Sequence, residues 1–140
     1  MSEYVIIATT FTDAGHLVEA LVDLGFPRDT IEVRDRPVTL NGYRGDARPE
    51  CAEIVIRREY VGRSSNDIGF ARRPDGAFRA IISEYDQRTP GARGPYDQAF
   101  LGRLAQAYSL RTIQHHYRAR GYRVQVQRQS DGTIQVVAER

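Results

Sequence analysis

The sequence predicts an α+β fold, a two-layer sandwich in which helices cover one face of a largely antiparallel sheet. Two kinds of apolar periodicity indicate this class. Several short stretches rich in β-branched residues alternate apolar with polar side chains, and two longer stretches repeat apolar residues at helical spacing. The predicted element order is β-α-β-β-β-β-α-β-β, and hairpins combined with few helices are typical of an antiparallel sheet.

The first strand and helix follow from local signals. A strand is predicted over 4–11, because this stretch is rich in β-branched and aromatic residues. Thr12 or Asp13 is expected to cap the helix that follows, and Gly25, followed by Phe26-Pro27, is expected to end it. The apolar stripe of this helix consists of Leu17, Val18, Leu21 and Leu24.

Four strands are predicted in the middle of the chain. The first covers 30–35, and Pro37 either ends it or places it on a sheet edge. The second covers 52–60. The third and fourth form a ribbon around the turn Pro74-Asp75-Gly76, where proline presets φ and glycine accepts a positive φ.

The C-terminal third combines a helix with a hairpin. An irregular segment is predicted over 86–95, and helical periodicity begins near Tyr96. The apolar stripe changes phase near Tyr108-Ser109, which suggests a kink or two abutting helices, and Gly121 terminates the element. The last two strands are 123–129 and 134–138, joined at Asp131-Gly132, a strong hairpin signal.

Composition limits the class of protein. The 140 residues are predicted to form a single domain, 1–140, with 41% hydrophobic and 27% charged residues. No apolar run approaches the roughly 20 residues of a membrane span, and no basic leader is present, so we expect a cytoplasmic protein without membrane contact. The single cysteine, Cys51, excludes an internal disulfide and is expected to be a buried, inert thiol.

The chain is arginine-rich: all 20 basic residues are arginine, which excludes Schiff-base lysines and the lysine of a phosphate-binding loop. Residues 101–140 contain seven arginines against two acids. Such a surplus can contact phosphates, with tyrosines as stacking platforms, but a solvated helix face and strand edge give the same count. The residues of this candidate nucleic-acid surface are Arg103, Arg111, Arg118, Arg120 and Arg123, with Tyr108, Tyr117 and Tyr122.

Several spaced motifs follow one another through nearly the whole chain. They are Gly42-Tyr43-x-Gly45, Ala52-Glu53-Ile54-Val55-Ile56-Arg57, Asp67-Ile68-Gly69-Phe70, Phe100-Leu101-x-x-Leu104-x-Gln106-x-Tyr108, Gly121-Tyr122 and Asp131-Gly132-Thr133-Ile134. In these motifs the chain resembles the conserved chloroplast reading-frame thirty-five (Ycf thirty-five-like) family, a domain of unknown function found in plastids, cyanobacteria, other bacteria and phages. The stretches 27–40 and 87–96 depart from that pattern.

The resemblance implies a protein of bacterial or phage type, with an AAA-type ATPase as partner, since members lie near such ATPases in some genomes. It carries over no catalytic residue. Candidate binding residues are Tyr43, Arg57, Asp67 and Gly69. Asp67 can be interpreted as a general base or ligand, or as a carboxylate that caps a turn while Gly69 permits close approach of another backbone.

The three histidines lack metal-ligand spacing, so we expect neither a metal site nor another cofactor. Three functions remain open. The first is a binding or adaptor protein acting through a protein partner such as an AAA-type ATPase. The second is a nucleic-acid-binding protein, and the third is a metal-dependent or hydrolytic enzyme centred on Asp67. Catalysis is not required by any motif. Strand edges of the hairpins could support a homodimer, although Arg128, Glu139 and Arg140 would also protect such edges.

Overall fold

A computed structural model describes residues 2–91 and 93–140, and the strands in this part of the chain form two antiparallel sheets. The strands are β1 (Tyr4–Ala8), β2 (Ile31–Asn41), β3 (Ala47–Ile56), β4 (Ile68–Arg72), β5 (Phe78–Ser83), β6 (Arg123–Arg128) and β7 (Ile134–Glu139). The helices are α1 (Ala14–Asp23), α2 (Arg58–Val61), α3 (Glu84–Arg88) and α4 (Gln98–Arg118). The first sheet has the order β1-β5-β4-β3-β2, and β6 pairs with β7 in the second. The α+β class is confirmed.

The first helix begins and ends as its sequence predicts. The Asp13 carboxylate accepts a hydrogen bond from the backbone N–H of His16 at 2.9 Å, which caps α1. At the other end Gly25 has φ 109°, a conformation that favours glycine. The backbone N–H of Phe26 then donates to the Leu21 carbonyl, and this bond closes the last turn.

Strand β2 passes through Pro37 instead of ending before it. The pairing between β2 and β3 shifts register between Val33 and Val38, and β2 is an edge strand of the sheet. A proline is tolerated there because its missing N–H interrupts no ladder on the outer side. Of the two outcomes that Pro37 allowed, the edge position is therefore the correct one.

Strand β3 starts earlier and ends earlier than predicted. It begins at Ala47 and stops at Ile56, and the residues expected to continue it, 58–61, form the short helix α2. The chain turns because the N–H of Arg58 donates to the Asp67 carboxylate instead of to a strand. Helix α3 likewise occupies part of the segment expected to be irregular, with Ser83 as its cap.

Helix α4 is continuous across Tyr108-Ser109, so the expectation of two abutting helices is wrong. The phase change in its sequence reflects a change of neighbour. Phe100 and Leu104, in the first half of α4, are buried in the core beneath the large sheet. Leu110 and Ile113, in the second half, lie beside the hairpin of β6 and β7.

The main core lies between one face of the five-stranded sheet and the helices α1 and α4. Phe70 and Phe78 project from the sheet into it, and the aromatic rings of Tyr96 and Phe100 meet edge to face at 5.1 Å between centroids. A smaller apolar cluster on other strand positions contains Leu40, Ala52, Val55 and Ile81.

Cys51 is exposed, which corrects the expectation of a buried thiol. Successive side chains of a strand point to opposite faces, and the neighbouring Ala52 is buried in the smaller apolar cluster, so Cys51 points away from that cluster. Among the described residues, no helix combines the length and apolar character needed to span a membrane.

Candidate functional site

Asp67 lies immediately before β4 and is only 1% exposed. One carboxylate oxygen, Oδ1, accepts a hydrogen bond from the backbone N–H of Arg58 at 2.7 Å. The other, Oδ2, accepts from the backbone N–H of Asn41 at 2.7 Å and from Nη1 of Arg57 at 2.8 Å. The side chain of Asp67 thus joins the end of β2 and the start of α2 to the residue that precedes the ribbon of β4 and β5.

Arg57 connects Asp67 to a second acid. Its Nε donates to Oε2 of Glu32 at 2.6 Å, and its Nη1 donates to Asp67. The hydrogen bond with Glu32 is the main cause that raises the pKa of Arg57 above its ordinary value. The same bond with Arg57 is the main cause that lowers the pKa of Glu32. Burial of Glu32 acts in the opposite direction and raises this pKa, and a hydrogen bond from Arg34 lowers it further. The guanidinium is therefore held between two carboxylates.

The lowered pKa of Glu32 predicts a specific dependence of stability on pH. A carboxyl whose pKa is depressed by folding stabilises the native state above its unfolded value, here about 4.5, and loses that contribution as pH falls through the folded value. We expect the free energy of unfolding of Glu32→Gln to be lower than wild type near neutral pH and to fall less steeply below about pH 4.5. Urea denaturation across an acid pH series measures both.

The matched control is Glu59→Gln, because Glu59 is exposed at the surface of α2. It should retain the acid slope of the wild type. Equal slopes for Glu32→Gln and wild type would show that the bond to Arg57 contributes nothing to folding.

Gly69 occupies the middle of β4, where it pairs with Val55 and Ile81. A Cβ atom at this position would lie 2.7 Å from Cβ of Ala52 and 2.9 Å from Cδ1 of Leu40. The sequence predicted the close approach of another backbone, but the neighbours are side chains of β2 and β3. Gly69 therefore makes room for the side chains of the smaller apolar cluster.

A second buried polar network lies beside Asp67, and sequence reasoning missed it. Asn66 donates through Nδ2 to Oγ of Ser83 at 2.9 Å, and Ser83 donates to Oδ2 of Asp86 at 2.7 Å. The backbone N–H of Asn66 also donates to that oxygen, at 3.0 Å. The other carboxylate oxygen of Asp86 is buried without a partner among the described residues. The signal in the sequence was Ser83-x-x-Asp86, a helix-capping pattern before α3.

Tyr43 reaches the same region through its backbone. Its N–H donates to Oδ1 of Asn66 at 2.9 Å, and its carbonyl accepts from Nη1 of Arg58 at 3.0 Å. A cavity of about 280 Å³ next to it is lined by Ser2, Tyr43, Ser64, Asn66 and Tyr85. The structure thus places Tyr43, Arg57 and Asp67 in one polar region, while Gly69 belongs to the apolar cluster.

The five arginines of the candidate nucleic-acid surface differ in exposure and in the groups that they contact. Arg111 forms a bidentate pair with Asp23 of α1, with donor-to-oxygen distances of 2.6 and 2.8 Å, and this bond raises its pKa. Arg120 donates to the carbonyl of His116 within its own helix end. Arg118 and Arg123 are exposed and contact no acid within the described ranges. Only part of the surplus charge is therefore available to a partner.

Both the hydroxyl group and the ring of Tyr108 make contacts with other residues of the chain. Its hydroxyl accepts hydrogen bonds from the backbone N–H groups of Thr12 and Asp13 at 3.1 and 3.0 Å, and its ring lies 4.8 Å from that of Phe11. It joins α4 to the start of α1, unlike the exposed stacking platform expected from the sequence. Tyr117 is exposed, and its ring meets that of Tyr122 edge to face at 5.5 Å.

A groove of about 430 Å³ lies between α4 and the β6–β7 hairpin and is here named the C-terminal groove. Half-buried apolar side chains form its floor: Leu24, Ala107, Leu110, Val126 and Ile134. Arg103 and Arg128 line it from α4 and β6, and neither contacts an acid within residues 2–91 and 93–140. The remaining lining residues are Asp23, Gln106, Arg111 and Gln114, of which Asp23 and Arg111 neutralise each other.

Sequence reasoning identified Arg103 but not this groove, because its walls come from α1, α4 and the β6–β7 hairpin, which only the folded chain brings together. Among the described residues, no three His, Cys, Asp or Glu side chains gather in a way that could hold a metal ion. The groove lining offers guanidinium groups for hydrogen bonding and charge pairing beside an apolar surface.

Comparison with known proteins gives one result. Neither the curated proteins nor the solved structures contain a match to this chain. A protein family described as a protein of unknown function, DUF1257, matches residues 20–137, a stretch that includes the ribbon, both polar networks and most of the C-terminal hairpin. The expectation of a domain of unknown function is thereby confirmed, and the chain belongs to the DUF1257 family.

Proposed function

We propose that this protein is a binding module that holds an acidic segment of a protein partner in the C-terminal groove. The observation that carries the proposal is the pair Arg103 and Arg128, two guanidinium groups that line an apolar floor and contact no acid within the described part of the chain. Guanidinium groups pair with carboxylates through two parallel hydrogen bonds, and a floor of this kind accepts an aliphatic or aromatic side chain.

The floor favours a peptide over a nucleic acid. Nucleic acids also supply negative charge, but their bases are held by stacking on aromatic rings or guanidinium planes. The floor residues Leu24, Leu110 and Ile134 are aliphatic and suit a leucine, isoleucine or phenylalanine of a partner. The partner segment should therefore combine two or more acids with one large apolar residue.

The identity of the partner is part of the proposal. The resemblance to the chloroplast reading-frame thirty-five family implies an AAA-type ATPase, and an acidic surface segment of such an ATPase has the chemistry required. The segment of the ATPase that binds the groove should be an exposed acidic stretch that contains one large apolar side chain.

The test uses fluorescein-labelled peptides in which glutamates flank a single leucine, titrated with the purified full chain in fluorescence anisotropy. We expect saturable binding that weakens as salt rises and a dissociation constant about tenfold or more higher for Arg103→Glu/Arg128→Glu, because each reversed charge repels a glutamate. Peptides with lysine in place of glutamate should bind this variant better than they bind wild type.

The matched control is Arg36→Glu, an exposed charge reversal on β2, a strand that does not line the groove. It should bind like wild type. Equal affinity of wild type and the double variant for every peptide would remove the groove from the proposal.

A nucleic-acid-binding function is the second candidate, favoured by one observation: Arg118 and Arg123 are exposed, have no acidic partner among the residues that the structure describes, and lie next to the ring pair of Tyr117 and Tyr122. A single-stranded oligonucleotide forms the second arm of the same titration. Salt-dependent binding that is lost in Arg118→Glu/Arg123→Glu, together with no peptide binding, would favour this function.

An enzyme centred on Asp67 has less support, since that carboxylate is buried and accepts three hydrogen bonds from its own chain.

A further inference from the structure

The two edges of the five-stranded sheet differ in how they are protected against pairing with another strand. The outer strand β2 carries the exposed run Arg34-Asp35-Arg36-Pro37 and a register shift, features that discourage strand addition. The opposite edge, β1, reads Tyr4-Val5-Ile6-Ile7-Ala8, without a charge or a proline, and pairs with β5 in unbroken register. Of the two edge strands of this sheet, β1 is therefore the one without a charged side chain or a register shift.

The register identifies the backbone groups that β1 presents to its free side. The N–H of Glu84 donates to the carbonyl of Glu3 at 2.8 Å, immediately before the pair Tyr4 and Ser83. Residues of an antiparallel strand alternate between bonding to the neighbour and pointing away from it. The N–H and C=O groups of Tyr4, Ile6 and Ala8 therefore point outward. Among the large hydrophobic residues that the structure describes, Ile6 is also the most exposed, at 52%.

A groove runs beside this edge, between β1 and the first half of α4. It encloses about 310 Å³, and none of its nine lining residues is charged. Gly102 and Ala105 of α4 form one of its sides together with Leu101. A Cβ built on Gly102 meets no atom within 4 Å, so the helix surface is open at that point. The free edge and the small residues of the helix are thus side by side.

We propose that this edge binds a second copy of the chain, with β1 of one copy pairing antiparallel to β1 of the other. A two-fold axis at Ile6 would extend the sheet to ten strands and set the two exposed isoleucines against each other. The same axis brings the two α4 helices together at Gly102 and Ala105, where small side chains permit close packing.

Charge favours a copy of the chain over a charged partner. The groove lining is uncharged, so two copies meet there without like-charge repulsion, whereas a charged segment would lose its hydration without gaining a counter-charge. The surface is also self-complementary in the way that a two-fold interface requires, because every strand bond made by one copy is repeated by the other.

The test is the mass of the full chain in solution, measured by sedimentation equilibrium over a wide concentration range. We expect a species of twice the monomer mass of 15.9 kDa. Ile6→Lys and Gly102→Arg should each weaken dimerisation by about tenfold or more, because each places a charge in a dry, uncharged interface. Since Gly102 is exposed on a helix, Gly102→Arg should not lower the melting temperature, so its effect cannot be attributed to unfolding.

The matched control for Ile6→Lys is Val33→Lys, at a 44% exposed position of the other edge strand, and this variant should dimerise like wild type. A wild-type chain that stays monomeric at every concentration overturns the proposal. A dimer that both Ile6→Lys and Gly102→Arg leave unchanged overturns it as well.

Discussion

Replacement of Asp67 by asparagine is expected to lower the free energy of unfolding by about 3 kcal/mol, the loss typical of breaking a buried charged pair from one side. The asparagine would turn an N–H₂ group toward donors that now bond to carboxylate oxygens, namely the N–H groups of Asn41 and Arg58 or the guanidinium of Arg57. One donor would then remain unsatisfied in the interior. Guanidinium denaturation followed by circular dichroism measures the change.

Asp35→Asn is the control, since Asp35 is an exposed acid on β2 and its replacement should change the free energy of unfolding by less than about 0.5 kcal/mol. If Asp67→Asn unfolds at the same denaturant concentration as wild type, the buried carboxylate does not stabilise the fold. Its unusual environment would then need a functional explanation.

Replacement of Gly69 by alanine is expected to cost about 2 kcal/mol through overpacking. The added methyl would lie 2.7 Å from Cβ of Ala52, a distance at which the strands must separate or the side chain of Leu40 must move. Either movement lowers the free energy of unfolding, because Ala52 and Leu40 are both fully buried. Thermal and chemical denaturation should agree on the loss.

A double-mutant cycle identifies the clash. Gly69→Ala combined with Ala52→Gly should be more stable than the sum of the two single changes predicts, by about 1 kcal/mol or more, because the second change removes the clashing methyl. At concentrations at which the chain is monomeric, Gly102→Ala serves as the control for a glycine in open space and should stabilise the chain by up to about 1 kcal/mol through helix propensity. Additive effects at 69 and 52 would contradict the packing described.

Local sequence signals predicted the elements whose determinants lie within a few residues. Asp13 caps α1 through a bond to a residue three positions later, and Gly76, with φ 91°, closes the ribbon turn that Pro74-Asp75-Gly76 predicted. The bounds of β2 and β3 could not be read in this way. They depend on the bulge near Pro37 and on the bond from Arg58 to Asp67, which joins residues nine positions apart.

The candidate site was only partly predictable for the same reason. The motif around Asp67 and Gly69 was visible, but whether its carboxylate faces solvent or interior depends on Asn41, which lies 26 residues away. The C-terminal groove depends on the approach of β6 and β7 to α4. The apolar stripe of α4 changes phase where the hairpin replaces the large sheet as its neighbour. A bend in the helix would give the same apolar pattern, so periodicity alone could not distinguish the two.

The unbroken course of α4 has a geometric consequence. Its 21 residues make a rod of about 31 Å, since each residue of an α-helix advances 1.5 Å. The half near Gly102 faces the edge of β1, and the half near Leu110 supports the C-terminal groove. A dimer formed at β1 would therefore hold two grooves at a fixed separation, and a partner with two acidic segments at that spacing would gain avidity without any additional contact.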